Sequence, residues 1–285
     1  MRNKFLRFCI RLAFVCACLY VLACALLYIF QRRMVFIPFP GPTTPSGAGL
    51  TGFTEQRIPT PDNLPGGIRY WYSAGQSGKP LLFYFHGNGG GLHAFTFALP
   101  HLQAQGYSVV AMEYRGYPGS AGTPTEKTIV ADALLLTETL RGREPYRPVV
   151  LWGYSLGSGI ATQIAATITG ESALILEAPF TSVADRGAEL WPIFPVRSMI
   201  RDPFRSIDHI ARVGTPLYIM HGERDWIVPA AHSARLFAAA QSPKERHTYP
   251  QANHFTLVDH GAYDAAFAFI ARTSGMGPAT NATSP

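Results

Sequence analysis

The chain has 285 residues, 47% of them hydrophobic and 15% charged, with a formal net charge of +6. That length suits one large α/β domain with extensions, and the apolar content is too high for a disordered chain. Arg2, Lys4, Arg7, Arg11, Arg32 and Arg33 carry the whole net charge and have no acid among them, so the rest of the chain is neutral and offers no electrostatic case for nucleic acid.

From Leu12 to Phe30 runs a stretch of 19 residues without a charge, LAFVCACLYVLACALLYIF. As a helix it would match a bilayer's hydrocarbon core of about 30 Å. A cleaved signal peptide has a shorter apolar region. A lipoprotein signal ending at Cys24 is disfavoured by the apolar run that continues to Phe30. Residues 1–33 are therefore expected to form a basic flank and an uncleaved transmembrane anchor. Four basic residues precede the run and two follow it, which favours a body on the non-cytoplasmic side. Cys9, Cys16, Cys18 and Cys24 are the only cysteines, so thiol catalysis, zinc thiolates and disulfides are excluded beyond the anchor. No motif residue lies within 1–33, and the body is expected to act without it.

Residues 34–54, with PFPGPTTPSGAGLTG inside them, read as a linker rich in Pro and Gly. The globular domain is expected over 55–272 and a flexible tail over 273–285. Glu55–Ile58 and Ile68–Tyr72 alternate apolar and polar residues and predict an antiparallel entry to a sheet. Short apolar runs follow at Leu81–Phe85, Ser108–Met112, Val149–Trp152, Leu174–Leu176 and Leu217–Met220, with a more polar strand at Arg246–Tyr249. Helical periodicity lies between and after them, at Thr125–Leu140, Gly157–Thr169, Ala230–Ala240 and Leu257–Ala271. Buried strands alternating with helices predict an α/β fold with a mostly parallel sheet and helices on both faces. Residues 181–213 interrupt that rhythm with Trp191, Ile193, Phe194, Met199, Ile200 and Phe204, and read as a short apolar cap that either packs on the sheet or lines the mouth of a site.

Gly153-Tyr154-Ser155-Leu156-Gly157 follows a predicted strand and opens a predicted helix, as a G-x-S-x-G nucleophile elbow requires. An incidental serine in a tight turn would fit the motif alone, so the partners decide. A serine nucleophile needs a base, and the base an orienting acid, in the order Ser, Asp/Glu, His in a doubly wound hydrolase. Asp225 follows the strand Leu217–Met220 and His254 precedes the last helix, which makes them the candidates. Glu223, Asp185, Asp202 and Asp208 compete for the acid, and His247 and His260 for the base. His86-Gly87-Asn88-Gly89-Gly90-Gly91 lacks the Lys and Ser/Thr of a phosphate loop. Its amide at Asn88 or Gly89, with that of Leu156, suits an oxyanion hole, and His86 reads as a residue that fixes the loop.

His86–Gly91, Glu113-Tyr114-Arg115-Gly116-Tyr117, Pro124-Thr125-Glu126, Gly153–Gly159, Glu177–Ser182, Gly222–Pro229 and Asn253-His254-Phe255 together resemble the α/β-hydrolase superfamily. The resemblance is nearest to single-pass, membrane-anchored serine hydrolases related to protein depalmitoylating thioesterases, and Tyr28–Pro38 is similar to their juxtamembrane stretch. Pro118 departs from the glycine that relatives often carry there. The resemblance covers about residues 28–272 and implies hydrolysis of an ester, thioester or amide by Ser155, Asp225 and His254, with Asn88 and Leu156 as oxyanion donors and no metal or organic cofactor. The partners expected are an acyl-bearing substrate, lipid or lipidated protein, and the bilayer. A peptidase or amidase on the same residues, and a non-catalytic membrane-bound binding module, are the alternatives.

Overall fold

The computed structural model describes residues 2–275, so most of the tail expected over 273–285 lies outside the described residues. The chain opens with α1, Arg2–Val35. It is long and apolar enough to cross a membrane, with a mean hydropathy of 2.6 over its most apolar window. A two-residue strand β1 (Ile37–Pro38) follows, then β2 (Thr54–Ile58), β3 (Ile68–Ser73), β4 (Leu81–Phe85) and a second two-residue strand β5 (Gly89–Gly90). Next come α2 (Leu99–Ala104), β6 (Ser108–Met112), α3 (Glu126–Arg143), β7 (Val149–Tyr154), α4 (Leu156–Ala165) and β8 (Ala173–Glu177). Three short helices, α5 (Val183–Leu190), α6 (Val196–Met199) and α7 (Ser206–His209), precede β9 (Leu217–Gly222), α8 (Ala231–Ala239), β10 (Lys244–Tyr249) and α9 (Ala262–Thr273).

Eight strands form one sheet in the order β10-β9-β8-β7-β4-β6-β3-β2, parallel except for the antiparallel pairs β2–β3 and β3–β6. Strands β4, β6, β7, β8 and β9 are buried along their whole length. Parallel strands covered on both faces need such continuous apolar runs. Side chains alternate between the faces, so Leu81, Phe83 and Phe85 meet α3 and α4, while Leu82 and Tyr84 join the core with α2 and α9. The outermost strands carry charge, Glu55 and Arg57 on β2 and Lys244, Glu245 and Arg246 on β10. Charged edges discourage pairing with another chain.

The predicted strands all form, several of them a residue or two longer. Thr125 caps α3, its hydroxyl accepting from the Thr128 amide at 3.1 Å, with Thr128 answering the Thr125 amide. The helix predicted over Leu257–Ala271 is two pieces, a short turn over Val258–His260 and then α9. Gly261 sits between them at φ 75°, a left-handed conformation that ends one piece and starts the next. Residues 36–53, within the expected linker, lie against the domain. Phe36, Leu50 and Phe53 are buried, and β1 pairs with β5.

Glu177, at the end of β8, is buried with Trp152 Nε1 and Tyr263 Oη donating to its Oε2 at 2.9 and 3.1 Å. Burial pushes its carboxyl up to about 7, against those two hydrogen bonds. The folded chain therefore keeps a proton that an unfolded glutamate, near 4.5, has released. The stability this proton carries is complete below about pH 4.5 and is lost as pH rises through about 7, amounting to about 3 kcal/mol at most. Glu177→Gln, which keeps an acceptor for both donors, is expected to flatten the fall in Tm between pH 5 and pH 8. A thermal-unfolding series at both pH values checks this. An unchanged slope would mean that Glu177 is already ionised at pH 5.

Candidate active site

Ser155 is the one residue between β7 and α4, at φ 50° and ψ −115°. A non-glycine residue there is strained by about 1–3 kcal/mol and persists only where its surroundings dictate it. Here they do. A Cβ on Gly157 would overlap the Phe85 carbonyl, and a Cβ on Gly153 would overlap Gly157, so α4 can approach β7 and β4 only with glycine at both positions. The Ser155 amide donates to the Glu177 carbonyl of the neighbouring strand at 2.9 Å, which pins the turn from its other side.

Strand order brings the predicted partners to this point. His254 Nε2 lies 3.0 Å from Ser155 Oγ, and His254 Nδ1 lies 2.7 Å from Asp225 Oδ2. Both residues are buried. The amides of Ile227 and Val228 donate to Asp225 Oδ1 at 2.9 and 2.8 Å, and His221 Nε2 approaches Oδ2 at 3.3 Å. Burial alone would raise the Asp225 carboxyl. The hydrogen bonds from His221 and His254 and the charge of His254 outweigh it, and they hold the group well below the usual carboxylate range. An ionised Asp225 keeps the proton of His254 on Nδ1 and leaves Nε2 free to accept from Ser155.

The rival acids and bases are occupied elsewhere. Glu223 accepts from Thr248, Asp185 pairs with Arg197, Asp202 with Arg32 and Asp208 with Arg205. His247 lies on β10 beside Tyr218, and His260 in the turn before α9.

Leu156 opens α4, where a helix cannot satisfy its own first amides, and both it and Asn88 line the cavity beside Ser155. Gly89, the other oxyanion candidate, lies opposite Ile37 in the pairing with β1 and does not line the cavity. The peptide that carries the Asn88 amide is held by His86, whose Nδ1 donates to the Gly87 carbonyl at 2.7 Å while Nε2 faces Glu113 at 3.1 Å. His86 thus fixes the loop.

Two supports were not foreseen. His221 Nε2 donates to the Val228 carbonyl at 2.7 Å and steadies the Asp225 loop, and Tyr154 Oη donates to the His254 carbonyl at 2.9 Å. Their nearness to Asp225 and Ser155 in sequence was the only available signal.

The cavity above Ser155 has a volume of about 260 Å³. Its cap side is apolar apart from Arg186, with Trp191, Phe194, Met199 and Ile200 facing it; Ile193 points outward and Phe204 is buried beneath. Its opposite wall is α1. Leu27, Tyr28, Gln31, Met34 and Val35 all line it, so residues 1–33, which hold no motif residue, nevertheless contribute side chains to the cavity. A stripe of pocket-facing side chains on an apolar helix has the same composition as its other faces, which is why the sequence hid it.

A family model described as serine aminopeptidase, S33, matches residues 76–204 and 196–261. An uncharacterized protein of Mycobacterium tuberculosis strain H37Rv is 34% identical over 253 residues, covering 87% of this chain and 89% of that one. The lysophosphatidylserine lipase ABHD12 of Rattus norvegicus is 33% identical over 199 residues, 62% of this chain and 50% of the lipase, so the likeness spans half of that protein. Among solved structures, the esterase Pf2001 of Pyrococcus furiosus superposes with a TM-score of 0.67 at 19% identity, over 83% of this chain and 98% of the esterase. The fold is that of the α/β-hydrolases. With the family model across most of its globular part, the chain belongs to the serine aminopeptidase S33 family of α/β-hydrolases and is a serine hydrolase.

Proposed function

We propose that the chain is a membrane-anchored esterase that cleaves carboxylic esters or thioesters of apolar acyl groups through an acyl-enzyme. The observation that carries this reading is the contact of Ser155 Oγ with His254 Nε2 at 3.0 Å on the floor of an apolar cavity. In the first half-reaction Ser155 Oγ attacks the acyl carbonyl while His254 Nε2 takes its proton. The Asn88 and Leu156 amides stabilise the oxyanion, and His254 protonates the departing alcohol or thiol. Water, deprotonated by the same imidazole, then releases the acid. Asp225 stays ionised throughout and stabilises the imidazolium.

The family description and the amide chemistry of the same triad raise the peptidase alternative. An aminopeptidase must hold a cationic α-amino group, and that calls for a carboxylate in the pocket. Among the described residues that line the cavity there is no Asp or Glu, and the only charged side chain is Arg186. Likeness to a lysophosphatidylserine lipase also favours a lipid ester. A bilayer span over residues 12–30, with the body on the non-cytoplasmic side, completes the reading and rests on the length and charge asymmetry of α1.

Ser155→Ala is expected to lower kcat on a simple ester by about 10⁴-fold or more and to abolish labelling by a fluorophosphonate. Near wild-type turnover would overturn the nucleophile. Asp225→Asn should cost far more activity than Glu223→Gln, and the reverse order would move the acid. The pH profile of kcat/KM should rise along a single limb, because the imidazole must be neutral to act while the Asp225 carboxyl, held low, stays ionised across the range. A second limb in the acid range would mean that Asp225 titrates there. Finally, alkaline carbonate should leave the full chain in the membrane fraction and detergent should release it; release by carbonate would rule out a spanning helix.

A further inference from the structure

The side chains of α1 that are at least half-buried are Ala23, Cys24, Leu27, Gln31, Arg32 and Val35, spaced by three and four residues along one face. That face lies on the cap. Tyr20 Oη donates to the Ile193 carbonyl at 2.8 Å, and the Tyr20 ring stacks on Phe194 with centroids 5.6 Å apart. Gln31 donates to the Met199 carbonyl at 3.2 Å and accepts from the Arg201 amide at 2.6 Å. Arg32 pairs with Asp202 at 2.7 Å. Three points of the cap are thus held to two levels of α1, one at Tyr20 and one at the adjacent Gln31 and Arg32.

These levels fix a depth. Tyr20 and Arg32 are twelve residues apart, a rise of about 18 Å along a helix. Arg32 and Arg33 mark the end of the apolar run, and Tyr20 stands near its middle. If the run crosses a bilayer with its arginines at the headgroups, the cap tip lies well inside the hydrocarbon. The side chains at that tip suit the position. Leu190, Trp191 and Ile193 are 57%, 42% and 71% exposed, an apolar edge that water alone would not favour. The cavity behind this edge runs from Ser155 outward between α1 and the cap.

We propose, resting on the reading of Ser155 as nucleophile and of α1 as a span, that α1 is a wall of the acyl site and that the acyl chain of a membrane lipid enters from the leaflet between α1 and the tip Leu190–Phe194. Leu27 and Tyr28 face the cavity between the level of the tip and that of Arg32, so they bound the path of the chain and set the acyl length accepted. The carbonyl then meets Ser155 without the chain crossing water, so each buried methylene leaves one apolar medium for another and the site gains access to substrate at its bilayer concentration.

The test uses the full chain in detergent micelles with p-nitrophenyl butanoate and p-nitrophenyl hexadecanoate. Leu27→Trp fills the wall and should lower the hexadecanoate-to-butanoate ratio of kcat/KM by about tenfold, because the larger side chain obstructs the path of a long acyl chain and not of a short one. Leu26→Trp, on an exposed part of the helix away from the cavity, should leave the ratio unchanged. Leu27→Ala, which cannot misfold by overfilling, should also shift the ratio. If both Leu27 variants keep the wild-type ratio, α1 is only a tether and the proposal falls, while Ser155 stands. Failure of the wild type to hydrolyse butanoate or to be labelled by a fluorophosphonate would instead strike the reading of Ser155. Entry from the leaflet is read separately, in phosphatidylcholine vesicles brominated at mid-chain. In a Trp226→Phe background, the fluorescence of Trp191 should be quenched and the quenching lost in Trp191→Phe, since Trp71 and Trp152 are fully buried. Equal quenching with and without Trp191 would put the tip outside the hydrocarbon.

Discussion

The strained turn at Ser155 is the constraint on which the other features depend. A serine at φ 50° would relax if either flank yielded, and neither can: α4 is pressed onto β7 and β4 at the two glycines, and the Ser155 amide is tied to β8. Once the turn exists, the sheet order supplies the rest. β4 lies beside β7 and ends in the Asn88 loop; β8 and β9 follow on the other side, and the Asp225 loop leaves β9. His254 arrives from the segment between β10 and α9. No side chain has to reach far, because parallel strands end their βα loops at one edge.

The acid of the site is a buried carboxylate, and its burial would favour the neutral form if it stood alone. Two backbone amides and two imidazoles face it instead, and they reverse the sign of the shift. Glu177 is the contrasting case. It is buried as deeply, but its partners are an indole and a phenol on one oxygen, and its pKa moves up. Two carboxyls of one sheet edge are thus driven in opposite directions by the donors around them, and only the ionised one faces the histidine.

The parts of the fold legible in the sequence were those where burial on both faces forces an unbroken apolar run, as at Leu81–Phe85 and Val149–Tyr154. Strand β10, with the sequence KERHTY, was legible for the opposite reason, since an edge strand must carry charge. The cap helices were not legible. α6 and α7 have four residues each, too few for any period to show, and they exist because tertiary contacts hold them. At the site, Ser155, Asp225 and His254, which the structure brings together, could be picked out because they follow β7, β9 and β10 in the chain order that a doubly wound hydrolase sheet demands. The histidine beneath them, His221, has no such signature, because a buried imidazole bonded to a carbonyl looks like any other residue at the end of a strand. The wall made by α1 was hidden most completely, since no pattern distinguishes an apolar side chain facing a pocket from one facing lipid.

What determines where that wall stands is polar. Asp202 is almost wholly buried, and its two oxygens serve different elements: Oδ2 accepts from Arg32 at 2.7 Å and Oδ1 from the Glu126 amide, the first of α3, at 2.9 Å. Glu126 in turn accepts from the Phe204 amide at 2.7 Å and from Gln163 of α4 at 2.9 Å. A buried carboxylate left without its arginine would carry the full cost of desolvation, so the Arg32–Asp202 contact resists breaking more than an exposed pair would. The chain of contacts runs from α1 through Asp202 to the start of α3 and then to α4, the helix that has the Ser155 turn at its other end. The apolar helix is in this way fixed to the framework around Ser155 at its last turns, where its sequence changes from apolar to basic. Arg32 therefore has two parts to play: as a cation it marks the end of the apolar run, and as the partner of Asp202 it sets the distance between that run and Ser155.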